Sequence, residues 1–146
     1  MTRREQRDSI VRIIFRTPFY PKKMMEEQTE AYIQELRDEP EELLPSLSQP
    51  PEEEELVYIR EKAEAIRANL RDIDSRLEDA SREWKLNRVG KMELAILRVA
   101  AYEILYDEDI PDKVAINEAL ELSKQYCDEK AAPFINGVLN HLLESK

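Results

Sequence analysis

Apolar residues recur at helical spacing along most of the chain. The clearest run has an apolar residue every three or four positions, which places its members on one face of a helix. These are Leu56, Ile59, Ala63, Ile66, Leu70, Ile73, Leu77, Ala80 and Trp84. Such a stripe is also typical of a coiled-coil seam. Because neighbouring segments have apolar faces that need a partner too, we favour packing inside a bundle and keep self-association through the stripe as the alternative.

Two helices are predicted before this run. Thr2 and Glu5 have the spacing of a capping box, which predicts a helix from about residue 3 to Arg16. Its apolar face would contain Ile10, Val11, Ile14 and Phe15. Pro18 and Pro21 interrupt the pattern. A second helix follows before Pro40, with an apolar face of Met25, Tyr32, Ile33 and Leu36.

Three further segments complete the predicted fold. Residues 91–106 are apolar almost all the way round, which predicts a central helix. Asp112 is the predicted N-cap of a helix that runs to Tyr126. Pro133 suits the first turn of a final helix, whose core side would use Phe134, Ile135, Val138, Leu139 and Leu142. We therefore predict an all-α protein, a compact bundle of about six to seven helices.

Composition and charge refine this prediction. The chain has 146 residues, which suits one domain spanning 1–146, and its two glycines favour helices over sheets with tight turns. The net charge is −10, yet basic residues cluster in the first 25 positions while acidic residues crowd positions 26–55. The segment at about 38–55 is rich in Glu and Pro, which predicts an acidic loop.

Several classes of function are disfavoured. Gly90 and Gly137 are isolated, so neither a P-loop nor a dinucleotide-binding motif is present. One histidine, His141, and one cysteine, Cys127, cannot build a Cys/His zinc site. We expect no enzyme activity, no cofactor and no metal. No apolar run is long enough for a membrane helix, and a lone cysteine suits a reducing compartment, so we expect a cytoplasmic protein without membrane contact.

The first predicted helix carries candidate chemistry. Arg3, Arg4 and Arg7 lie in its first turns, where the helix dipole disfavours cations. Arg12 and Arg16 repeat the one-turn spacing, so the helix could present cations to a phosphate backbone. A solvated basic face explains the same pattern equally well. Some aromatic residues could stack on bases, although each taken alone is more often a core residue: Phe15, Tyr102, Tyr106, Tyr126 and Phe134.

Four segments together resemble the NusB family of transcription antitermination factors. They read RREQRD at 3–8, KMELAILRVAAYEIL at 91–105, IPDKVAINEA at 110–119 and FINGVL at 134–139. The resemblance implies an all-helical bundle that binds boxA-type single-stranded RNA of ribosomal-RNA leader transcripts. It further implies action with the ribosomal protein NusE inside an RNA polymerase antitermination complex.

The resemblance also implies particular site residues. The RNA surface would combine Arg3, Arg4, Arg7, Phe15, Lys113, Phe134 and Asn136. The partner surface would lie on the outer side of residues 84–106 and include Arg88, Lys91 and Glu93. Three positions depart from the family pattern: Phe15 replaces a frequent tyrosine, Glu5 a basic or neutral residue, and Cys127 a helix-ending glycine. We expect Gly137 to permit close helix packing rather than direct RNA contact.

Other functions stay open at this point. The chain could be a helical protein interaction module, or a homodimer, that does not bind RNA. It could also resemble the helical domain that accompanies RNA methyltransferases, although no methyl-donor-binding domain is present. An independent enzyme is the weakest alternative, because no nucleophile, metal cluster or cofactor loop can be assembled.

Overall fold

The computed structural model describes residues 1–17, 21–81 and 85–146, apart from the side chain of Asn87. Within these ranges the chain forms eight α-helices, two 3₁₀ helices (Lys22–Met24 and Leu86–Arg88) and no strand, which confirms the all-α class. The α-helices are α1 (Arg3–Arg16), α2 (Met25–Asp38), α3 (Pro40–Leu43), α4 (Glu53–Ala68), α5 (Leu70–Ser81), α6 (Lys91–Tyr106), α7 (Asp112–Tyr126) and α8 (Ala131–Glu144). The predicted break at Pro18 and the end of the stripe at Trp84 lie outside the described residues.

The long apolar stripe spans two helices, so the prediction of one continuous helix was wrong. A turn at Asn69 separates α4 from α5. Asparagine hydrogen-bonds readily to nearby backbone and therefore favours turns over helix interiors. Most stripe residues are buried within this single chain: Leu56, Ile59, Ala63, Ile66, Ile73, Leu77 and Ala80. A stripe that is already buried cannot form the seam of a coiled-coil dimer.

The acidic segment contains more helix than the pattern indicated. Pro40 begins the one-turn helix α3, in agreement with the preference of proline for a first turn. Helix α4 begins at Glu53, inside the segment predicted as a loop. Its first turn carries Glu53, Glu54 and Glu55, whose negative charges interact favourably with the positive end of the helix dipole.

Contacts group the chain into two compact units, the first of which is Met1–Arg67. In this unit α1 packs on α2, and both helices bury apolar faces that the sequence predicted, with Ile10 and Ile14 on α1 and Tyr32 and Ile33 on α2. Arg37 near the end of α2 pairs with Glu53 at the start of α4, at 2.8 Å. Arg60 later in α4 pairs with Glu30 earlier in α2, so these two helices run antiparallel.

The second unit is Ala68–Lys146, and α6 lies at its centre. This helix packs against α5, α7 and α8, as its nearly continuous apolar surface predicted. The Arg98 guanidinium donates two hydrogen bonds to the Asp74 carboxylate, at 2.9 and 2.8 Å, and so joins α6 to α5. On α8, a ring nitrogen of His141 lies 3.2 Å from the carbonyl oxygen of Ala80 on α5, which supports a structural role for this histidine.

The predicted starts of α8 and α7 agree with the structure to different degrees. Pro133 lies in the first turn of α8, as predicted. The N-cap of α7 is Pro111 rather than Asp112, so that prediction was wrong by one residue. Asp112 occupies the first turn instead, where its carboxylate accepts a hydrogen bond from Lys146 at 3.2 Å. None of the described helices is long and apolar enough to span a membrane.

Candidate nucleic-acid interface

The start of α1 presents two arginines to solvent in the first unit. Arg3 and Arg4 are exposed on the first turn of the helix. Arg7, one turn further on, is only 7% exposed. Phe15, near the other end of α1, is half-buried. Of the four residues predicted for RNA binding on this helix, Arg3 and Arg4 are therefore the ones whose guanidinium groups can meet a phosphate backbone directly.

Glu5 holds this end of α1 in place. The Thr2 hydroxyl accepts a hydrogen bond from the Glu5 backbone N–H at 3.0 Å, and the Glu5 carboxylate accepts one from the Thr2 N–H at 2.8 Å. Ser46 adds a third hydrogen bond at 2.7 Å. Partial burial opposes ionisation of Glu5, but the hydrogen bonds from Thr2 and Ser46 outweigh it and lower the pKa. The acidic residue that departs from the family pattern thus forms the predicted capping box.

The remaining arginines of α1 serve the first unit itself. Arg12 pairs with Asp8 at 3.2 Å and donates to the carbonyl of Leu43. Arg16 lies over the ring of Tyr32, 5.1 Å from its centroid, in a cation–π contact. The repeated basic spacing of α1 therefore does not form one continuous phosphate-binding face.

A groove of about 480 Å³ lies in the second unit, at the start of α6 and α8. It is lined by Arg88, Val89, Gly90, Glu93, Asp128, Lys130, Ala131 and Phe134. Phe134 was predicted to bind RNA, whereas Arg88 and Glu93 were predicted to bind a protein partner. The groove therefore brings Phe134 of the predicted RNA surface next to Arg88 and Glu93 of the predicted partner surface. Lys91, Lys113 and Asn136 are exposed but do not line the groove.

The Glu93 carboxylate is held at one wall of the groove. Gly90 is the N-cap of α6, and a Cβ at this position would overlap the Glu93 carboxylate, so a larger residue would make this carboxylate move. The Cys127 thiol lies near the same carboxylate. Burial, the negative charge of Glu93 and hydrogen bonding to Glu93 together raise the thiol pKa to about 12. Cys127 is thus a protonated structural group at neutral pH.

Gly137 does not have the role predicted for it. A Cβ built at this position would meet no described atom within 4 Å outside its own helix turn, so close helix packing does not explain the glycine. Its neighbour Asn136 is exposed, and the Asn136 side-chain oxygen accepts a hydrogen bond from Asn140 at 3.1 Å. The expectation that Gly137 packs against a neighbouring helix was therefore wrong.

Two charged groove residues, Asp128 and Lys130, were missed at the level of sequence. Lys130 lies four positions before Phe134, which is the spacing of one helical turn, and could have been connected with it. Asp128 accepts a hydrogen bond from the Lys130 backbone N–H at 2.9 Å and shapes the turn before α8. No metal-binding group of His, Cys, Asp and Glu occurs among the residues that the structure describes.

The sequence is similar to known proteins along almost its whole length. Residues 4–144 match the model of the NusB family. The chain is similar to the transcription antitermination protein NusB of Agathobacter rectalis, with 40% identity over 139 residues that cover 95% of this chain and 97% of the relative. The NusB protein of Lachnoclostridium phytofermentans is 40% identical over 144 residues, covering 99% and 100% of the two chains.

Solved structures show the same fold. A structure of T. maritima NusB superposes with a TM-score of 0.81 at 27% identity, covering 99% of this chain and 92% of that one. The fold also matches, with a TM-score of 0.71 and 20% identity over the full length of both chains, a crystal structure of the antitermination factors NusB and NusE in complex with dsRNA.

Proposed function

Because the chain belongs to the NusB family, we propose that it acts in transcription antitermination by binding boxA-type single-stranded RNA together with the ribosomal protein NusE. The observation that carries this proposal is the exposed pair Arg3 and Arg4 at the capped start of α1. Their cations lie where the helix dipole disfavours them, so helix stability does not account for their presence. A phosphate backbone would compensate for that cost.

The second unit supplies a place for a base. Phe134 offers a half-buried ring in a groove that also holds the cations Arg88 and Lys130. Stacking of a base on an aromatic ring contributes about 1–3 kcal/mol and tolerates different sequences. Lys113 and Asn136 are exposed on α7 and α8 and can donate hydrogen bonds to phosphate or base oxygens. The proposed RNA set keeps Arg7 and Phe15 as residues that hold α1 in position, because neither is fully exposed.

NusE and the RNA polymerase antitermination complex are the proposed protein partners. Arg88 and Glu93 line the groove beside Phe134, and Lys91 is exposed next to them. A partner bound over these residues would lie close enough to RNA on Phe134 to contact it as well. Such shared contacts would make the binding of RNA and NusE mutually favourable. We further propose that residues 1–146, including the acidic segment at about 38–55, act as one cytoplasmic RNA-binding domain.

Fluorescence anisotropy with a labelled boxA RNA and a scrambled RNA tests the proposal. We expect selective binding of boxA RNA that tightens when NusE is added. The double variant Arg3→Ala/Arg4→Ala should weaken binding by roughly tenfold or more, since each arginine contributes a charge-assisted hydrogen bond. The variant Arg71→Ala/Lys124→Ala removes the same charge from exposed positions on α5 and α7 and should bind normally.

Three results would contradict this proposal. Equal loss in both double variants would mean that overall charge, rather than the start of α1, determines the affinity. Equal or absent binding to the two RNAs, combined with a stable dimer in sedimentation, would favour a protein-only interaction module. Unchanged affinity of Arg3→Ala/Arg4→Ala would remove the RNA site from α1.

A further inference from the structure

A second polar site lies in the first unit, at the opposite end of α1 from Arg3 and Arg4. It is a small cleft at the end of α1, the start of α2 and the end of α4. The cleft is lined by Ile13, Arg16, Thr17, Met25, Gln28 and Arg67. It therefore combines two guanidinium groups with a hydroxyl and a side-chain amide.

Arg67 lies half-buried in this cleft without a compensating charge. Its Nη1 donates to the Met25 carbonyl at 3.0 Å and to the Thr29 hydroxyl. Among the described residues, no carboxylate forms an ion pair with it, and its Nε and Nη2 have no acceptor. Burial lowers the pKa of its guanidinium, while Glu64 and Glu26 act on it only from a distance. A cation removed from water without a partner is costly, so an anion at this place would stabilise the fold.

Thr17 provides an independent indication of a binding site in this cleft. The residue is 6% exposed, and its hydroxyl has no hydrogen-bond partner among the described residues. Buried hydroxyl groups are nearly always satisfied, so an unpaired one that lines a cleft points to a group that completes it. The amide of Gln28 also makes no hydrogen bond with any described residue.

The surrounding electrostatics favour a negative charge. Helix α2 begins at Met25, in the wall of the cleft, directly after the 3₁₀ helix Lys22–Met24. The Met25 N–H donates to the Lys22 carbonyl, and no side chain caps the N-terminus. A helix N-terminus without a side-chain cap carries a partial positive charge and attracts anions. Arg16 at the mouth lies over the Tyr32 ring, and its contact with a carboxylate, that of Glu35, is a distant one at 3.9 Å. Its side chain keeps 31% of its exposure.

The volume of the cleft limits how much of a ligand can enter it. Its inner volume of about 10 Å³ holds one water-sized atom. The forked N–H donors of arginine match the oxygens of a phosphate group in spacing and direction. We propose that the cleft binds a phosphate group, with one oxygen held inside by Thr17 and Arg67 and the others at the mouth near Arg16 and Gln28. Inorganic phosphate and a phosphate of an RNA backbone share this chemistry.

Titration with inorganic phosphate, followed by NMR signals of the arginine Nε–H groups, tests the site without RNA. At constant ionic strength we expect a saturable shift of the Arg67 signal that chloride does not reproduce. Thr17→Val keeps the side-chain volume and should weaken phosphate binding by about tenfold, as expected for one lost hydrogen bond to a charged group. Arg67→Met should abolish the phosphate response, whereas Arg71→Met, at an exposed position of α5, should leave it unchanged.

The controls keep the outcome interpretable. Circular dichroism establishes that each variant is folded, and Thr17→Val carries the test if Arg67→Met is not. A response that does not saturate, that chloride reproduces, or that persists unchanged in Thr17→Val would overturn the proposal. Repeating the titration with RNA bound identifies the source: loss of the Arg67 shift indicates an RNA phosphate in the cleft, and its persistence indicates free phosphate. Since the first titration needs no RNA, the site can fail independently of the proposed antitermination function.

Discussion

At the residue scale, the surroundings of Cys127 determine both its backbone conformation and the pKa of its thiol. It caps the end of α7 with φ −124° and ψ 173°, an extended conformation that any residue adopts. The glycine that is usual in the family is therefore not needed for this turn. The thiol is held instead beside the Glu93 carboxylate, and its pKa is raised to about 12.

This pKa predicts slow alkylation of Cys127. Only the thiolate reacts, and a pKa raised from 9.0 to about 12 leaves very little thiolate at neutral pH. We expect iodoacetamide to modify the native protein at least about a hundredfold more slowly than the urea-denatured protein at pH 7.5. Glu93→Gln should accelerate the native reaction, because it removes the negative charge that opposes ionisation. Equal rates before and after denaturation, measured by mass spectrometry, would contradict the assignment.

The sequence could not predict which residues of the proposed RNA site are exposed to solvent. Arg3, Arg4 and Arg7 look equivalent in the pattern, yet the helix turns Arg7 inward while the first two stay exposed. Glu5 was predicted both as a capping residue and as a departure from the family pattern. Its hydrogen bonds with Thr2 establish the capping role. Helix capping depends on residues close in sequence and can therefore be predicted. The burial of a side chain such as that of Arg7 depends on residues that are distant in sequence and cannot.

At the element scale, α6 should contribute most to the second unit. Leu97 is fully buried at the centre of this helix. Leu97→Ala should lower the free energy of unfolding by about 2–5 kcal/mol, because it leaves a cavity among helices that relax only partially. Val114→Ala, at an exposed position of α7, should change it by less than about 0.5 kcal/mol. Urea denaturation measures both values, and similar losses in the two variants would show that α6 is not the core element.

Element boundaries illustrate a second limit of prediction. The capping box predicted the start of α1, and the dense apolar segment predicted α6, because both signals are local. The turn at Asn69 was missed because the apolar spacing continues through it without interruption. The groove at Phe134 could not be foreseen either, because it depends on how α6 and α8 approach each other.

At the scale of the whole molecule, charge should govern how RNA binding responds to salt. The net charge is −10, so attraction to RNA must come from a few local cations. The residues proposed for phosphate contact include three exposed cations, Arg3 and Arg4 in the first unit and Lys113 in the second, apart from the groove cations Arg88 and Lys130. For single strands each phosphate contact contributes about −0.7 to the slope of log K against log salt, which predicts a slope of about −2.

Anisotropy titrations over a series of salt concentrations measure this slope. Arg3→Ala/Arg4→Ala should reduce its magnitude to about one third, since a single proposed cation remains. A slope near zero in the unaltered protein would show that stacking and neutral hydrogen bonds dominate. A slope twice as steep as expected would require cations beyond the proposed three.

The contact of Glu93 with Gly90 and Cys127 has a consequence for how this protein can evolve. A larger residue at position 90 would displace the carboxylate, and the thiol would then lose the group that keeps it protonated. A thiol released in this way becomes open to oxidation. The three positions are therefore physically coupled, because a change at one of them alters which side chains the other two can accommodate.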